Sequence, residues 1–309
     1  MKNVFFIVGP TATGKSDLAA DVACDLDAEI ISADAFQIYH GLDLLSAKPR
    51  AETLAQAPHH LIGTMAIREE MNAEKFRTTA LRALDEISTR GKRAIVVGGS
   101  GLYIKALTHG LASLPKVDPK LRARLNALST DELRSQLIDL DAEAARKIDV
   151  KNRRRLVRAL EICLLTGQSV SAQRTQWGAD PGSPRSTPPA TNGVFVFRNR
   201  DELYERINQR VEAMFERGVI EEVRATGAMS ETASKMIGLK EIRELLAGKM
   251  SILQCVAAIQ QATRHYAKRQ LTWFRRQTNF EQLNLSLLTH NEAVEWMSQR
   301  VLSFAQRDD

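Results

Sequence analysis

The chain has 309 residues, of which 44% are hydrophobic and 26% charged, and a formal net charge of +6. This balance is typical of a globular protein with one large or two domains, and it excludes disordered and fibrous classes. No apolar run approaches the roughly 20 residues that span a bilayer. Three widely spaced cysteines, Cys24, Cys163 and Cys255, argue against a disulfide framework or a zinc site. With no visible targeting segment, we expect a cytoplasmic protein that binds no membrane.

A phosphate-loop motif follows the first apolar run. The run Val4–Val8 predicts a strand and Lys15–Leu26 predicts a helix, and the segment at their junction fits the spacing G-x-x-x-x-G-K-[ST]. The backbone N–H groups of such a loop, the helix dipole and the Lys15 charge bind a phosphate or pyrophosphate, and the Ser16 hydroxyl is placed to hold Mg²⁺. The predicted binding residues are Gly9, Pro10, Thr11, Ala12, Thr13, Gly14, Lys15 and Ser16.

The first hundred residues continue to alternate between strand and helix. Glu29–Ala33 predicts a strand that ends in Asp34, Ala73–Arg90 predicts a helix, and Ala94–Val97 predicts a further strand. Short apolar strands between helices indicate a parallel sheet covered on both faces. The predicted fold class is therefore α/β, with a P-loop parallel sheet core flanked by helices.

Two groups of residues follow strands at the same predicted sheet edge as the phosphate loop. Asp34 could hold a metal or accept a proton there, or it could cap a loop. The segment Gly98-Gly99-Ser100-Gly101 could offer further N–H groups and a hydroxyl to an anion, or it could form only a tight turn into a helix. The residues alone leave both choices open.

After about residue 110 the pattern becomes helical, and no strand is predicted for some 80 residues. Residues 173–191 are rich in Gly, Pro, Ser and Thr and predict a loop. We therefore predict an all-helical insertion domain over residues 113–191, within a catalytic core formed by residues 1–112 and 192–309. The helices predicted in the insertion are Leu121–Ala127, Asp131–Asp139 and Asn152–Leu165.

The core pattern resumes with a predicted strand at Val194–Phe197. Three amphipathic stretches then predict helices before the carboxyl-terminal end. They are Glu202–Arg217, Ser234–Ala247 and Ile252–Gln270.

Cations cluster in two places. Residues 146–158 contain seven Lys or Arg against one acid, and residues 251–280 contain no acid. Such clusters favour a polyanion partner, in particular nucleic acid, over a solvated helix face. In the second cluster Arg264, Lys268 and Arg275 share a helix flank next to an aromatic pair, Trp273-Phe274. That pair could stack bases, or it could belong to the core.

Eight motifs occur in one order: GPTATGKS, DAFQIY, SAKP, PHH, VGGSGLY, RRLVRALE, IGLKE and YAKRQLTWFR. Together they resemble the bacterial tRNA dimethylallyltransferases, also called tRNA isopentenyltransferases, of the IPP transferase family. The resemblance runs from residue 2 to about residue 276. The carboxyl-terminal segment after it carries no motif that we can assign.

The resemblance implies transfer of a dimethylallyl group from dimethylallyl diphosphate to the exocyclic amine of the adenosine on the 3′ side of the anticodon. The phosphate loop then holds the diphosphate, which is released, and Ser16 holds Mg²⁺. Asp34 is implied as the general base on the amine, with Lys15 and Ser100 as further catalytic residues. An aromatic amine is a weak nucleophile, so positioning and stabilisation of the departing diphosphate must carry the catalysis.

The implied macromolecular partner is the anticodon stem-loop of tRNA, whose target adenosine must leave its stack to enter the core. No stable protein partner is implied, and we expect a monomer. The implied tRNA contacts are Asp34, Ala35, Phe36, Gln37, Ser100, Arg122, Arg154, Arg155, Leu156, Val157 and Arg158.

The chain departs from the family pattern at a few positions. Ala35 stands where the family usually has Ser, which removes a hydroxyl near the adenine. Ser46 and Ser100 stand where Thr is usual, and both changes are conservative. The Pro- and Ser-rich segment around residues 180–189 is a local expansion.

Three other functions share parts of this pattern. A P-loop kinase of a nucleotide or small metabolite uses the same loop on ATP, but it leaves the basic clusters without a role. An adenylate isopentenyltransferase shares the core and needs no tRNA-binding insertion, so Arg154–Arg158 counts against it. In a nucleotide-switched RNA-binding protein, Asp34 and Ser100 would be purely structural.

Overall fold

The computed structural model describes residues 3–111, 115, 117–175, 192–277 and 279–305. The chain forms two compact units. The core unit comprises Met1–Thr108 with Ala190–Asp309, and the inserted unit comprises His109–Pro189. The ends of the inserted unit lie within a few residues of the insertion that the sequence predicts.

The first part of the core unit alternates between strands and helices. In chain order its elements are β1 (Val4–Val8), α1 (Lys15–Asp25), β2 (Glu29–Ser32), α2 (Ala51–Gln56), β3 (His59–His60), α3 (Ala73–Thr89), β4 (Ala94–Gly98) and α4 (Gly101–His109).

The described part of the inserted unit is helical. Its helices are α5 (Pro119–Ala127), α6 (Thr130–Leu140), α7 (Ala142–Lys147), α8 (Arg153–Thr166) and α9 (Val170–Thr175). Side chains cap several of these helices: Asp118 caps α5, and Ser129 forms a capping box with Glu132 on α6.

Among its described residues, the second part of the core unit adds two strands and five helices, with short 3₁₀ turns at Ala233–Lys235 and Leu285–Leu287. These elements are β5 (Gly193–Phe197), α10 (Arg200–Glu216), α11 (Val219–Arg224), α12 (Leu239–Leu246), α13 (Ile252–Phe274), β6 (Glu281–Asn284) and α14 (His290–Ala305).

All six strands form one parallel sheet in the order β3-β2-β4-β1-β5-β6. Every residue of β1, β2 and β4 is buried, because helices cover both faces of the sheet. The predicted α/β class with a parallel sheet is thus confirmed. β1 lies between β4 and β5, with Val8 paired to Gly98 and Phe195, so the phosphate loop emerges near the middle of the sheet edge.

Several elements differ from the sequence prediction. The helix predicted over Ser234–Ala247 is a 3₁₀ turn followed by α12, and the break falls at Gly238, whose φ of 92° most other residues rarely adopt. Helix α9 extends into the segment predicted as a loop, and residues 176–191 of that segment lie outside the described residues. The carboxyl-terminal segment, which carries no motif, supplies β6 and α14.

Among the described helices, none is both long enough and apolar enough to cross a membrane.

Candidate active site

The phosphate loop joins β1 to α1 in a conformation that turns its N–H groups toward one point. Ala12 and Gly14 both have positive φ, of 64° and 89°, and such alternation forms an anion-binding nest. For Ala12 this left-handed conformation costs about 1 kcal/mol, so the surroundings must hold it. The N–H groups of residues 12–16 donate no hydrogen bond to any residue that the structure describes. They are therefore free to bind an anion.

Three arginines that follow the inserted unit in the sequence donate hydrogen bonds to oxygens of the phosphate loop. Arg206 donates from Nε to the Ala12 carbonyl at 2.9 Å, and Arg210 donates to the Thr11 hydroxyl at 2.8 Å. Arg198, which follows β5, donates from Nε to the Thr13 carbonyl at 2.9 Å. Because guanidinium groups occupy the loop's oxygens, its N–H groups keep their orientation.

Positive charge in the loop exceeds the negative charge around it. Burial lowers the pKa of Lys15 to about 8; nearby Asp34 raises this pKa, and the charge of Arg210 lowers it further. Burial likewise lowers the pKa of Arg210 to about 10 against the attraction of Asp34. Neither Arg206 nor Arg210 forms an ion pair within the described residues. An anionic ligand would restore the balance, since it would stabilise the charged form of each cation.

Asp34 lies two residues after the end of β2, just before a turn. Its Oδ1 accepts hydrogen bonds from the N–H groups of Phe36 at 2.9 Å and Gln37 at 3.3 Å. Oδ2 has no hydrogen-bond partner in the part of the chain that the structure describes, and the residue is half-buried. Asp34 thus combines the two roles that the sequence leaves open: one oxygen caps a turn, and the other is available to accept a proton.

The side chain of Gln37 is fixed beside this carboxylate. Its Oε1 accepts the Ser32 hydroxyl at 3.2 Å and its Nε2 donates to the Ala47 carbonyl at 2.9 Å. Tyr266 on α13 lies close enough for Asp34 to raise its pKa, although burial raises it more. The tyrosine therefore stays neutral and can act as a hydrogen-bond donor.

The Gly-rich segment after β4 has a packing role. Gln270 on α13 accepts from the N–H of Thr11 and donates to the carbonyl of Gly99, both at 2.9 Å. A Cβ at Gly99 would lie 2.3 Å from the Gln270 amide nitrogen, so glycine is required there. Ser100 donates its N–H to the Ala33 carbonyl at 3.3 Å, but it is not among the described residues that line the cleft. Its predicted catalytic role stays a prediction.

A cleft of about 990 Å³ opens next to these groups. Its lining includes the polar residues Lys15, Ser16, Asp34, Arg206 and Arg210 as well as apolar side chains. The cationic groups fit a diphosphate, and the apolar side chains fit a short hydrocarbon group. The main apolar lining residues are Leu45, Val211, Met214, Phe215, Met236 and Ile259.

The site contains functional candidates that sequence reasoning missed. Arg206 and Arg210 are four residues apart, so they share one face of α10. That spacing is a visible signal, but nothing local shows that the face packs on a loop 199 residues away. Gln270 lies within a recognised motif, but its hydrogen bonds to Thr11 and Gly99 join segments far apart in the sequence, so the motif does not reveal them.

The inserted unit corrects two predicted tRNA contacts. Leu156 and Val157 are 0% and 4% exposed and belong to the core of this unit, so their side chains do not reach a ligand. Their neighbours Arg154 and Arg155 are exposed on α8.

Two other predicted tRNA contacts in this unit form ion pairs. Arg122 forms a bidentate pair with Glu161, at 2.5 Å for both hydrogen bonds. Arg158 donates to the same carboxylate at 3.2 Å and to the Pro115 carbonyl at 3.1 Å. Glu161 is fully buried, so part of the charge of both arginines is already neutralised.

The aromatic pair at the end of α13 belongs to the core. Phe274 is fully buried and stacks on Phe195, and Trp273 packs against the same cluster. Of the predicted cationic flank, Lys268 and Arg275 are exposed, whereas Arg264 donates to the Asn208 side chain at 2.7 Å. The flank can contact phosphates, but these rings do not stack bases.

Comparison with known proteins agrees with the motifs. The family model described as IPP transferase matches residues 37–277. The chain is 44% identical over 275 residues to tRNA dimethylallyltransferase 1 of Citrifermentans bemidjiense, covering 88% of each chain. It is 41% identical to tRNA dimethylallyltransferase of Akkermansia muciniphila, covering 88% of this chain and 90% of that protein.

Solved structures give the same result. The full-length tRNA isopentenylpyrophosphate transferase of Bacillus halodurans superposes with a TM-score of 0.71 at 31% identity, covering 99% of this chain and 98% of the other. A eukaryotic dimethylallyltransferase acting on tRNA gives a TM-score of 0.78 at 25% identity, covering 97% and 80%. The family that the motifs predict is confirmed: the chain belongs to the IPP transferase family, and its similar relatives are named tRNA dimethylallyltransferases.

Proposed function

We propose that this chain transfers a dimethylallyl group from dimethylallyl diphosphate to the exocyclic amine of the adenosine on the 3′ side of the anticodon in tRNA. The observation that carries the proposal is the composition of one cleft: it joins a cationic phosphate loop, a carboxylate with a free oxygen and apolar lining residues. Membership of the IPP transferase family and the names of the relatives support the same reaction.

The phosphate loop receives the leaving group. The amine nitrogen attacks the first carbon of the dimethylallyl group, the bond from that carbon to the diphosphate oxygen breaks, and the diphosphate departs with the electron pair. Lys15, Arg206, Arg210 and the loop N–H groups stabilise the charge that develops on it. These groups are already held in place by their bonds to loop oxygens, so little reorganisation is needed.

Asp34 acts as the general base. Its free Oδ2 takes the proton that the amine nitrogen loses as the new carbon–nitrogen bond forms. The turn bonded to Oδ1 fixes the carboxylate, and Gln37 and Phe36 line the cleft next to it, where they can hold the adenine. Ala35 offers no hydroxyl in this region, so the amide of Gln37 is the main polar contact that the segment supplies.

Mg²⁺ fits the oxygen donors that line the cleft. The Ser16 hydroxyl and the Asp34 carboxylate both line it, and Mg²⁺ in proteins takes one or two such ligands together with phosphate oxygens and water. When bound, the ion would neutralise charge on the departing diphosphate. Ser16 is the residue that would hold it, because the free oxygen of Asp34 serves as the proton acceptor.

The tRNA anticodon stem-loop is the proposed acceptor. Arg154 and Arg155 are exposed cations that can contact phosphates. Arg122 and Arg158 contribute less positive charge, because both are paired with Glu161. A cytoplasmic location and a monomeric state stay predictions of the sequence.

The names of the relatives favour this reaction over a P-loop kinase, and the inserted unit with its exposed arginines favours tRNA over free adenylate. The deciding experiment is incubation with dimethylallyl diphosphate, Mg²⁺ and unmodified tRNA, followed by mass analysis of the nucleosides. We expect adenosine with one added dimethylallyl group. No mass gain on tRNA, or an equal gain on free AMP, would contradict the proposal.

A second test concerns the base. Asp34→Asn keeps the turn but removes the proton acceptor, so turnover should fall by about 10²- to 10⁴-fold. The affinity for tRNA should be unchanged, as measured by filter binding. A variant that loses tRNA affinity and turnover in parallel would show that Asp34 binds rather than catalyses.

A further inference from the structure

The segment after α13 has no role in the mechanism above. The family match ends at residue 277, and the eight motifs end before it. Yet residues 281–305 form β6, a 3₁₀ turn and α14; α14 packs on α1, β6 pairs with β5, and Phe304 contacts Phe5 of β1. We call residues 281–305 the carboxyl-terminal clasp.

The clasp packs first on the helix that follows the loop. Helix α14 lies on α1, where Ala293, Met297 and Val301 are buried in one cluster with Leu18 and its neighbours. The His290 ring nitrogen Nε2 lies 2.5 Å from the Asp21 carboxylate at the rim of this contact. This contact fixes the direction of α1.

The clasp also reaches the loop itself through Arg198. The carbonyl of Leu285 accepts from Arg198 at 3.0 Å, and the same guanidinium donates to Glu202 at 2.6 Å and to the Thr13 carbonyl at 2.9 Å. The Ser286 hydroxyl donates to the other oxygen of Glu202. One guanidinium therefore connects the clasp to the phosphate loop, and only 17% of its side chain is exposed.

We propose that the clasp holds the phosphate loop in its diphosphate-binding conformation, with Arg198 as the positioning residue. The loop needs such a hold because Ala12 has a left-handed φ and because its N–H groups bind an anion only while the Thr13 peptide keeps its orientation. Arg198 bonds its three acceptors through two nitrogens of one rigid plane, Nε toward the loop and a terminal nitrogen toward the clasp and Glu202, whereas an ammonium has a single nitrogen.

This inference rests on the proposed diphosphate site, and its test uses inorganic pyrophosphate in the presence of Mg²⁺. Titration calorimetry on the full chain gives the Kd without any need for turnover. Arg198→Lys retains the charge but loses most of the network, so the Kd should rise about tenfold. Ser286 is linked to the loop through Glu202 and Arg198. Ser286→Ala removes this hydroxyl, so the Kd should rise about threefold.

Matched variants separate positioning from general stability. Ser303→Ala removes a hydroxyl of the same clasp that bonds only the Arg300 carbonyl within α14, so the Kd should not change. Ser286→Thr restores a hydroxyl and should restore the Kd. The double variant Arg198→Lys with Ser286→Ala should bind as weakly as Arg198→Lys alone if the serine acts through Glu202 and the arginine. Additive losses would mean that Ser286 acts through the Asn199 N–H at the start of α10, which its hydroxyl also accepts at 2.8 Å, and would overturn the role of Arg198. The affinity for tRNA should be the same in all five variants.

The outcomes are distinct. If wild type binds pyrophosphate and Ser286→Ala and Arg198→Lys bind it equally well, the clasp proposal is wrong and the transferase proposal stands. If Ser303→Ala weakens binding as much as Ser286→Ala, the effect is one of stability and the clasp proposal is again overturned. If wild type itself does not bind pyrophosphate, the diphosphate site fails, and both proposals fail with it.

Discussion

Arginines serve opposite purposes in the two units. In the core unit, Arg206 and Arg210 bond to a loop carbonyl and a hydroxyl, and no described acid forms an ion pair with them. In the inserted unit, Arg122 and Arg158 converge on the buried carboxylate of Glu161. The charge of the first pair is available to a ligand, whereas the carboxylate of Glu161 neutralises much of the charge of the second pair.

The difference shows how to judge a basic cluster. Sequence counts both pairs as positive charge, but only the partner of each guanidinium decides whether a polyanion can use it. A neutral partner orients the cation without neutralising it, so the electrostatic cost of burial persists until an anion binds. An acidic partner removes that cost and makes the cation structural.

The largest effect is expected at the unpaired arginines of the cleft. Arg210→Met should lower kcat/KM for dimethylallyl diphosphate by about 10²- to 10³-fold, because it removes a preorganised charge from the departing diphosphate. The thermal midpoint should be unchanged or higher, since a buried charge without an ion-pair partner is lost. Steady-state kinetics and a melting curve check both. A variant that loses activity only in proportion to lost stability would place Arg210 with the structural arginines.

The reverse behaviour is expected in the inserted unit. Glu161→Gln leaves Arg122 and Arg158 without a counter-charge, so the free energy of unfolding should fall by about 3 kcal/mol. Glu143→Gln is the control, because its exposed pair with Lys147 contributes little. Urea unfolding of both variants measures the contrast, and equal losses in the two would contradict it.

Replacing the exposed arginines of α8, like replacing Arg210 in the cleft, should leave the stability of the chain unchanged. Replacing Arg154 and Arg155 together with Ala should weaken tRNA binding about tenfold at low salt and reduce the salt slope by about one to two. Filter binding over a salt series gives both numbers. An unchanged slope would mean that tRNA binds elsewhere on the chain.

The smallest effect concerns pH. Because the pKa of Lys15 is lowered to about 8, the free enzyme loses this charge as the pH rises through that value. The KM for dimethylallyl diphosphate should therefore rise about fourfold from about pH 7 to about pH 8.5. Arg210, with a pKa of about 10, keeps its charge over this range. A flat profile would show either that Lys15 keeps its charge in the free enzyme up to about pH 8.5 or that this charge does not contribute to diphosphate binding.

Much of the site was predictable because its parts are local. The spacing of the phosphate loop, the strand before it and the acid at the end of β2 are all readable over a few residues. The burial of Leu156 was readable too, since Leu156, Leu160 and Cys163 have helical spacing. The motif resemblance outweighed that signal, so a side chain that lies in the core of the inserted unit was predicted as a tRNA contact.

The rest depends on tertiary contacts. Nothing in the sequence of α10 shows that its arginines reach the phosphate loop, because that contact joins segments 199 residues apart. Strand β6 has the sequence EQLN, without the apolar alternation that indicates a strand, and it forms because β5 offers it backbone partners. The role of the last residues therefore became visible only in the fold.

The two outer strands of the sheet bear on how the chain behaves at high concentration. One edge is β3, only two residues long and made of His59 and His60, and the other is β6, with the polar residues Glu281, Gln282 and Asn284. A short edge and a polar edge are both poor templates for a strand of another molecule. The apolar strands at the centre of the sheet are thereby kept from intermolecular pairing, so aggregation should require prior unfolding.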